Sequence, residues 1–373
     1  MKLLVLAYSK QAGGAEKSAI KLHQAFESSS NVESIFGTLI RSPKDFYSVK
    51  STSKVIDLLP LTNFLLSRKV PLRSIWLPLI APIDLIHMRW VMNLNRIDVV
   101  VSFGAGVGCV AYLASIGSTI KQITSERIDP NPKIYRPSFL ARLMRPFIYK
   151  HGVICSVQTN GFAEWVENNW SVSAVVTPNH FEIPTTTYPA SSFNGPVVAV
   201  GRPAFQKGYD LLLQAWKLVE ESDSRELWIM CDDSEGFIAD LVMNAGCQNV
   251  RIKPLTDDLH SVFSQSSLFV SSARFEGYPN AIAEAIIYGI PVLTTISSDI
   301  VLEWSEADLC VAIKDTDPQA MGGQILSLLA DKDQLRKISN NGISNQDLFG
   351  WESVKNSWEG ILNKLSLNNS RTR

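Results

Sequence analysis

Two carboxylates eight residues apart, Glu276 and Glu284, lie within the stretch Ser267–Thr295, SLFVSSARFEGYPNAIAEAIIYGIPVLTT. Glu284 has Ala281, Ile282, Ala283, Ala285, Ile286 and Ile287 for neighbours. A helix apolar on every side is a buried helix. A carboxylate on such a helix is costly unless it is hydrogen-bonded. Glu276 precedes that helix, in a loop expected at the C-terminal end of a strand. Helix-start N–H groups there, from Asn280 and Ala281, favour an anion. The segment therefore offers acceptors for sugar and ribose hydroxyls beside donors for a diphosphate, which is the set a nucleotide-sugar needs.

The elements that must position these groups follow from local chemistry. Leu268–Val270 is an apolar run suited to a buried strand. Pro279 is expected at the first helical position, where its fixed φ fits and its missing N–H costs nothing. Gly289 closes the helix after roughly three turns, and Pro291 follows.

The run E-G-Y-P-N-A-I-A-E, followed by A-I-I-Y-G-I-P-V, resembles the E-x7-E motif of retaining GT-B glycosyltransferases of family 4, the glycosyl transferases group 1, of bacterial surface-polysaccharide type. The resemblance implies an α/β fold of two Rossmann-like domains with parallel sheets facing across a cleft. It implies that Glu276 holds donor-sugar hydroxyls and Glu284 the ribose, with Gly277, Asn280 and Ala281 also at the donor. Pro196–Gly208, PVVAVGRPAFQKG, resembles the family's donor-diphosphate site, carried by Arg202 and Lys207. A departing nucleoside diphosphate gains negative charge, which fixed cations stabilise in the transition state. Arg binds two phosphate oxygens at once and Lys acts as a point charge. Glu276, Arg202 and Lys207 are the expected catalytic residues. No protein nucleophile is implied, because the leaving phosphate helps deprotonate the acceptor on the same face. The motif regions hold no D-x-D or Asp/His cluster, so neither a metal nor another cofactor is expected.

The first half opens with KLLVLAY, an apolar strand, then Gly13-Gly14 and an amphipathic helix, a Rossmann-like start. Gly13, Gly14 and Glu16 resemble the family's G-G-x-E loop over the donor phosphates and acceptor. The strand Lys121–Ser125 leads into S-E-R-I-D-P, residues 125–130, similar to a motif of some bacterial polysaccharide enzymes of the family. Glu126 and Arg127 are candidates there for acceptor or donor contacts; a salt-bridged Arg–Asp turn is the competing reading. The second half departs from the family at Cys231–Gly236, CDDSEG, where many relatives have a Gly-rich turn.

At 373 residues two domains are expected. The boundaries read as 1–182 for an acceptor domain, 183–196 for a Pro/Ser/Thr-rich linker and 197–350 for the donor domain. A helix over 351–373 is expected to pack back on the first domain. Residues 1–150 carry 20 Lys/Arg against 9 Asp/Glu, and residues 151–373 carry 15 against 27. A basic half is drawn to anionic surfaces. Two stretches combine cations with apolar and aromatic residues: 58–95, with Arg68, Lys69, Arg73, Arg89 and the adjoining Arg96, and 133–151, with Lys133, Arg136, Arg142, Arg145 and Lys150. The second is the preferred candidate for anionic lipid or a lipid-diphosphate acceptor. No RNA-binding module accompanies these charges, so nucleic acid is not an expected partner.

Residues 99–120 lack any charged side chain, yet Gly104, Gly106, Gly108 and Gly117 favour strand, turn and helix over a membrane span. The run GAGVG lacks the third glycine of a dinucleotide fingerprint, which argues against a nicotinamide enzyme. Five scattered cysteines and no signal peptide indicate reduced thiols and a cytoplasmic protein, held peripherally on the inner face of the plasma membrane. Taken together, the expected activity is retaining transfer of a hexose or N-acetylhexosamine, from UDP most readily, to a lipid-linked or saccharide acceptor in surface polysaccharide synthesis. A non-catalytic nucleotide-sugar-binding protein on the same scaffold is the alternative.

Overall fold

Strands buried on both faces read as continuous apolar runs, and parallel sheets covered by helices demand such strands. The computed structural model describes residues 1–10, 13–28, 32–41, 54–67, 73–129, 131, 139–185, 193–256, 258–314 and 316–370. The chain divides into two units, Met1–His180 with Val354–Arg373, and Phe181–Ser353. Arg68, Lys69, Lys133, Arg136, Pro130 and residues 186–192 of the expected linker lie outside the described residues.

The first unit holds β1 (Lys2–Ala7), β2 (Glu33–Thr38), β3 (Val55–Asp57), β4 (Val99–Phe103), β5 (Lys121–Ser125), β6 (Ile154–Val157) and β7 (Ala174–Val176). They form a seven-stranded sheet in the order β3-β2-β1-β4-β5-β6-β7, every pair parallel. Its helices are α1 (Gly14–Glu27), α2 (Pro60–Ser67), α3 (Arg73–Leu94), α4 (Ala105–Ser115), α5 (Phe139–Lys150) and α6 (Asn160–Trp170). Residues 99–120 form strand, turn and helix, and Gly104 takes φ 99° at the turn. The glycine run packs α4 onto β5: a Cβ on Gly108 would lie 2.3 Å from Thr124 Oγ1. Among the described residues no helix is long and apolar enough to cross a membrane.

The second unit holds β8 (Val197–Val200), β9 (Leu227–Met230), β10 (Val250–Lys253), β11 (Leu268–Ser271), β12 (Val292–Thr295) and β13 (Val311–Ile313). They form a parallel sheet in the order β10-β9-β8-β11-β12-β13. Its helices are α7 (Tyr209–Glu220), α8 (Phe237–Ala245), α9 (Leu259–Phe263), α10 (Asn280–Ile287), α11 (Asp299–Glu306), α12 (Pro318–Ala330) and α13 (Lys332–Ser344); α14 (Trp351–Ser370) ends the chain, with Val354 onward counted in the first unit. Leu212, Leu213 and Trp216 of α7 pack with Leu227 and Ile229 on one face of the sheet. Ile282, Ala285 and Ile286 of α10 pack with Phe269 and Val292 on the other.

Open parallel sheets bind ligands beyond the carboxyl ends of the strands where the strand order reverses. That point lies between β1 and β4 in the first unit and between β8 and β11 in the second. All five cysteines are buried free thiols.

Candidate active site

The loops after β8 and β11 meet at the second sheet's switch point. After β8 the chain runs through Gly201 and Arg202 into a 3-10 turn, Phe205–Lys207, and on to α7. Gly208 joins them at φ 65°, and a Cβ there would sit 2.0 Å from the Ser272 carbonyl. Only glycine fits both the left-handed backbone and that approach. Lys207 is thereby brought onto the β11 loop, where Lys207 Nζ lies 2.6 Å from Glu276 Oε1. Gln206 Nε2 donates to Glu276 Oε2 at 3.1 Å and to the Phe275 carbonyl at 2.9 Å.

Further contacts fix this arrangement. Arg274 binds Asp210 through both guanidinium nitrogens, at 2.8 and 2.6 Å, and donates to the Phe205 carbonyl at 2.8 Å. Its guanidinium carbon stands 4.0 Å from the centre of the Phe205 ring. The Arg274 hydrogen bonds hold the Asp210 carboxyl below its ordinary range. Ser272 Oγ donates to the Lys207 carbonyl at 3.0 Å, and the Tyr209 hydroxyl donates to the Gly201 carbonyl at 3.0 Å. From the β12 side, the Glu276 N–H donates to the Ser297 carbonyl at 2.8 Å and Ser298 Oγ donates to the Gly277 carbonyl at 3.3 Å. None of Gln206, Tyr209, Asp210, Ser272 or Arg274 stood out in the sequence; the one available signal was Arg274, a cation two residues ahead of Glu276.

Arg202 lies at the same sheet edge, exposed. Among the described residues it forms no ion pair, so its guanidinium is available to solvent anions. Glu284 is buried on α10, near the Tyr288 phenol, whose pKa rises through burial first and the Glu284 charge second. Two details of the helix start differ from expectation. Pro279 is the cap rather than the first helical residue. The Asn280 N–H donates to the Tyr278 carbonyl at 2.9 Å and is not a free donor. The Ala281 N–H has no acceptor among the described residues. The departure at Cys231–Gly236 is also structural: Asp233 accepts from the Ile238 and Ala239 N–H groups at 2.8 and 2.9 Å, capping α8.

The first-unit candidates separate into two kinds. Gly13 caps α1 and Gly14 begins it, after β1 at that sheet's own switch point. Glu16 lies against Gly13, since a Cβ there would stand 2.1 Å from Glu16 Oε2. Glu126 is the correction. It is 2% exposed and accepts from Arg145 at 3.0 and 2.9 Å and from the Tyr149 hydroxyl. Its oxygens are committed inside the unit, so the reading as a ligand contact gives way to a structural one. Among the described residues the ion pair here joins Glu126 to Arg145 on α5 rather than Arg127 to Asp129. Burial first, then the Glu126 charge, pushes the Tyr149 phenol well above its ordinary value.

Arg127 has no carboxylate partner among the described residues. Its guanidinium lies 4.3 Å from the Phe103 ring centre and bonds Asn179 Oδ1. Burial lowers its pKa to about 9. A cavity of 500 Å³ opens near Gly152, Val153 and Ser173, by the start of β6 and β7 and away from the sheet's carboxyl edge. Among the described residues no cluster of His, Cys, Asp and Glu has metal-binding geometry.

Residues 195–331 match the family model described as glycosyl transferases group 1. Over 168 residues the chain is 21% identical to the amylovoran biosynthesis glycosyltransferase AmsD of Erwinia amylovora, covering 45% of this chain and 48% of that one. The chain spans about half the length of the curated relatives it matches. Sucrose-phosphate synthase from Thermosynechococcus elongatus superposes with a TM-score of 0.80 at 15% identity, covering 99% of this chain and 100% of that one. Anabaena Alr3699/HepE in complex with UDP and glucose superposes with a TM-score of 0.76 at 15% identity, covering 98% and 99%. These likenesses establish the two-sheet GT-B fold.

Proposed function

We propose that this chain, whose second unit matches the group 1 glycosyltransferases, is a retaining enzyme. It moves a hexose or N-acetylhexosamine from a nucleotide-sugar to a lipid-linked or saccharide acceptor of a surface polysaccharide. The observation that carries the reading is the Lys207–Glu276 pair, 2.6 Å apart at the switch point of a parallel sheet. A diphosphate needs a cation there and a sugar needs an acceptor, and the loops hold one of each in contact. Arg202 supplies a second cation at the same edge, and Glu284 is assigned to the ribose. UDP is the favoured nucleotide, in keeping with the ligand of the Anabaena protein, and AmsD, by its name, is an enzyme of amylovoran biosynthesis. Arg202 and Lys207 take the part a metal plays elsewhere, stabilising charge on the leaving phosphate.

The test is turnover of UDP-, GDP- and ADP-sugars by the purified chain, with the anomeric configuration of the product read by NMR. Turnover that disappears in Glu276→Ala and Arg202→Ala, with melting temperatures unchanged, supports the enzyme. An inverted product removes the retaining assignment. Nucleotide binding without turnover in any donor and acceptor combination leaves a binding protein instead.

A further inference from the structure

Helix α3, 22 residues long, is apolar on opposite faces. Met88, Val91 and Met92 are buried against Leu4, Leu6 and Val100 of the first sheet. On the outward face stand Leu79, Ile83, Ile86, Trp90 and Leu94, between 54 and 69% exposed. Their spacing of four, three, four and four residues draws one stripe along the helix. A helix apolar all round belongs in a core or against lipid, and among the described residues nothing covers this face.

The stripe continues sideways. Arg89 donates to the Ile116 and Gly117 carbonyls at 2.5 and 3.2 Å, tying α3 to the end of α4, where Leu113 and Ile116 are exposed. Phe147 of α5 meets Tyr112 of α4 edge to face at 6.3 Å, and Leu143 and Phe147 point outward. The described charges exposed on α5 and at the end of α3, Arg96, Arg142 and Lys150, are cations; the nearby exposed acid, Asp98, accepts from the Lys2 N–H at 2.8 Å. The one acid within the three helices, Asp84, is buried and accepts from the Leu61 and Thr62 N–H groups at 3.1 and 2.8 Å.

We propose that the outward faces of α3, α4 and α5 dock on an anionic lipid bilayer. The α3 stripe lies flat at the boundary between headgroups and acyl chains, with Trp90 at the depth its amphipathic ring prefers. Arg96, Arg142 and Lys150 meet the lipid phosphates. Charge selects the occupant: a second copy of the chain would bring cations against cations, whereas an anionic surface is complementary to them. The inference does not depend on the donor chemistry of the second unit.

The experiment is flotation of the full chain with vesicles of phosphatidylcholine alone and with added phosphatidylglycerol. The chain floats with the anionic vesicles, less so at high salt. The variant Ile83→Glu/Ile86→Glu/Trp90→Glu binds at least about tenfold more weakly, while its melting temperature and nucleotide binding stay unchanged. Arg142→Gln/Lys150→Gln, which spares the stripe, loses about fivefold for each cation removed. Failure of the wild-type chain to float with anionic vesicles overturns the proposal. So does a triple variant that floats like the wild type. A dimer seen in sedimentation that the triple variant dissolves, without vesicle binding, assigns the face to a second copy instead.

Discussion

Exchanging Glu276 for Gln separates the two halves of the donor reading, because Lys207 is tied to Glu276 before any donor arrives. The contact is 2.6 Å, between side chains only partly shielded from water. A charge-assisted hydrogen bond of this kind contributes about 1.5–3 kcal/mol. A bound diphosphate must compete for the same ammonium. Glu276→Gln keeps the size of the side chain and an oxygen for Gln206, and removes the charge that holds Lys207. Nucleoside diphosphate should then bind more tightly, by up to about tenfold if roughly 1.4 kcal/mol of the pairing is released.

Transfer should fall, because an amide is a weaker acceptor for the sugar hydroxyls than a carboxylate. Lys207→Ala should do the opposite to binding and the same to turnover. Losing a preorganised charge at the leaving group costs about 10²–10³ in kcat. Calorimetric titration with UDP, then GDP and ADP, alongside initial rates for the three proteins, reads both effects. If Lys207→Ala binds diphosphate as tightly as the wild type, the lysine is not on the phosphates. If Glu276→Gln weakens diphosphate binding as much as Lys207→Ala, the pair is one structural unit and the division of labour is wrong.

Gly208→Ala should destabilise by at least about 1–2 kcal/mol from the left-handed backbone alone. It should also displace Lys207, since its Cβ would press within 2.0 Å of a backbone carbonyl; thermal melting and initial rates report the two effects, and a variant with both unchanged refutes the packing argument. Arg145→Met strands Glu126 inside the first unit and should cost about 3–5 kcal/mol. Denaturant titration of Arg145→Met, Glu126→Gln and the double variant should show the double change costing less than the sum. The His180 imidazole is lowered to about 4 by burial first, then by Lys21 and Arg127. The unfolded chain takes up that proton near pH 6.5 and the folded chain does not, so the stability is present above pH 6.5 and falls as pH drops toward 4. The loss is about 3 kcal/mol; His180→Asn should lack this part of the slope, and equal slopes in both proteins would sink the assignment.

Lys207 and Glu276 are 69 residues apart, yet each was legible from its own surroundings. Both follow an apolar run and precede a helix, and parallel strands put all such loops on one edge of a sheet. Local motif plus fold class therefore brings distant residues together without any knowledge of side-chain contacts. The clamp around them was not legible. Gln206, Asp210, Ser272 and Arg274 act through contacts between two loops, and no periodicity marks a polar residue that bonds a neighbouring loop. The strand β3 is three residues long, too short for any alternation to register.

Glu126 shows the same limit from the other side. Its ligand reading rested on neighbours in sequence, but its partners, Arg145 and Tyr149, lie 19 and 23 residues on, within a helix. That helix also explains why the sequence favoured 133–151 over 58–95 for contact with anionic lipid. Read as sequence, α5 concentrates cations and aromatics, the pattern of an interfacial helix. In the fold Arg145 and Tyr149 turn inward to Glu126, and Arg145 also lies 5.0 Å from the Trp170 ring centre. What α5 leaves outside is Arg142, Leu143, Phe147 and Lys150. Helix α3, within 58–95, was harder to orient for the opposite reason. With apolar residues on every side it has no polar face to declare which way is out, and only the sheet beneath it decides. Packing takes one apolar side of α3 for the core and leaves the other uncovered. In the proposed docking, the centre of the surface thus moves from α5, where cations are dense, to the longer and more apolar α3, and the cations of α5 form its rim.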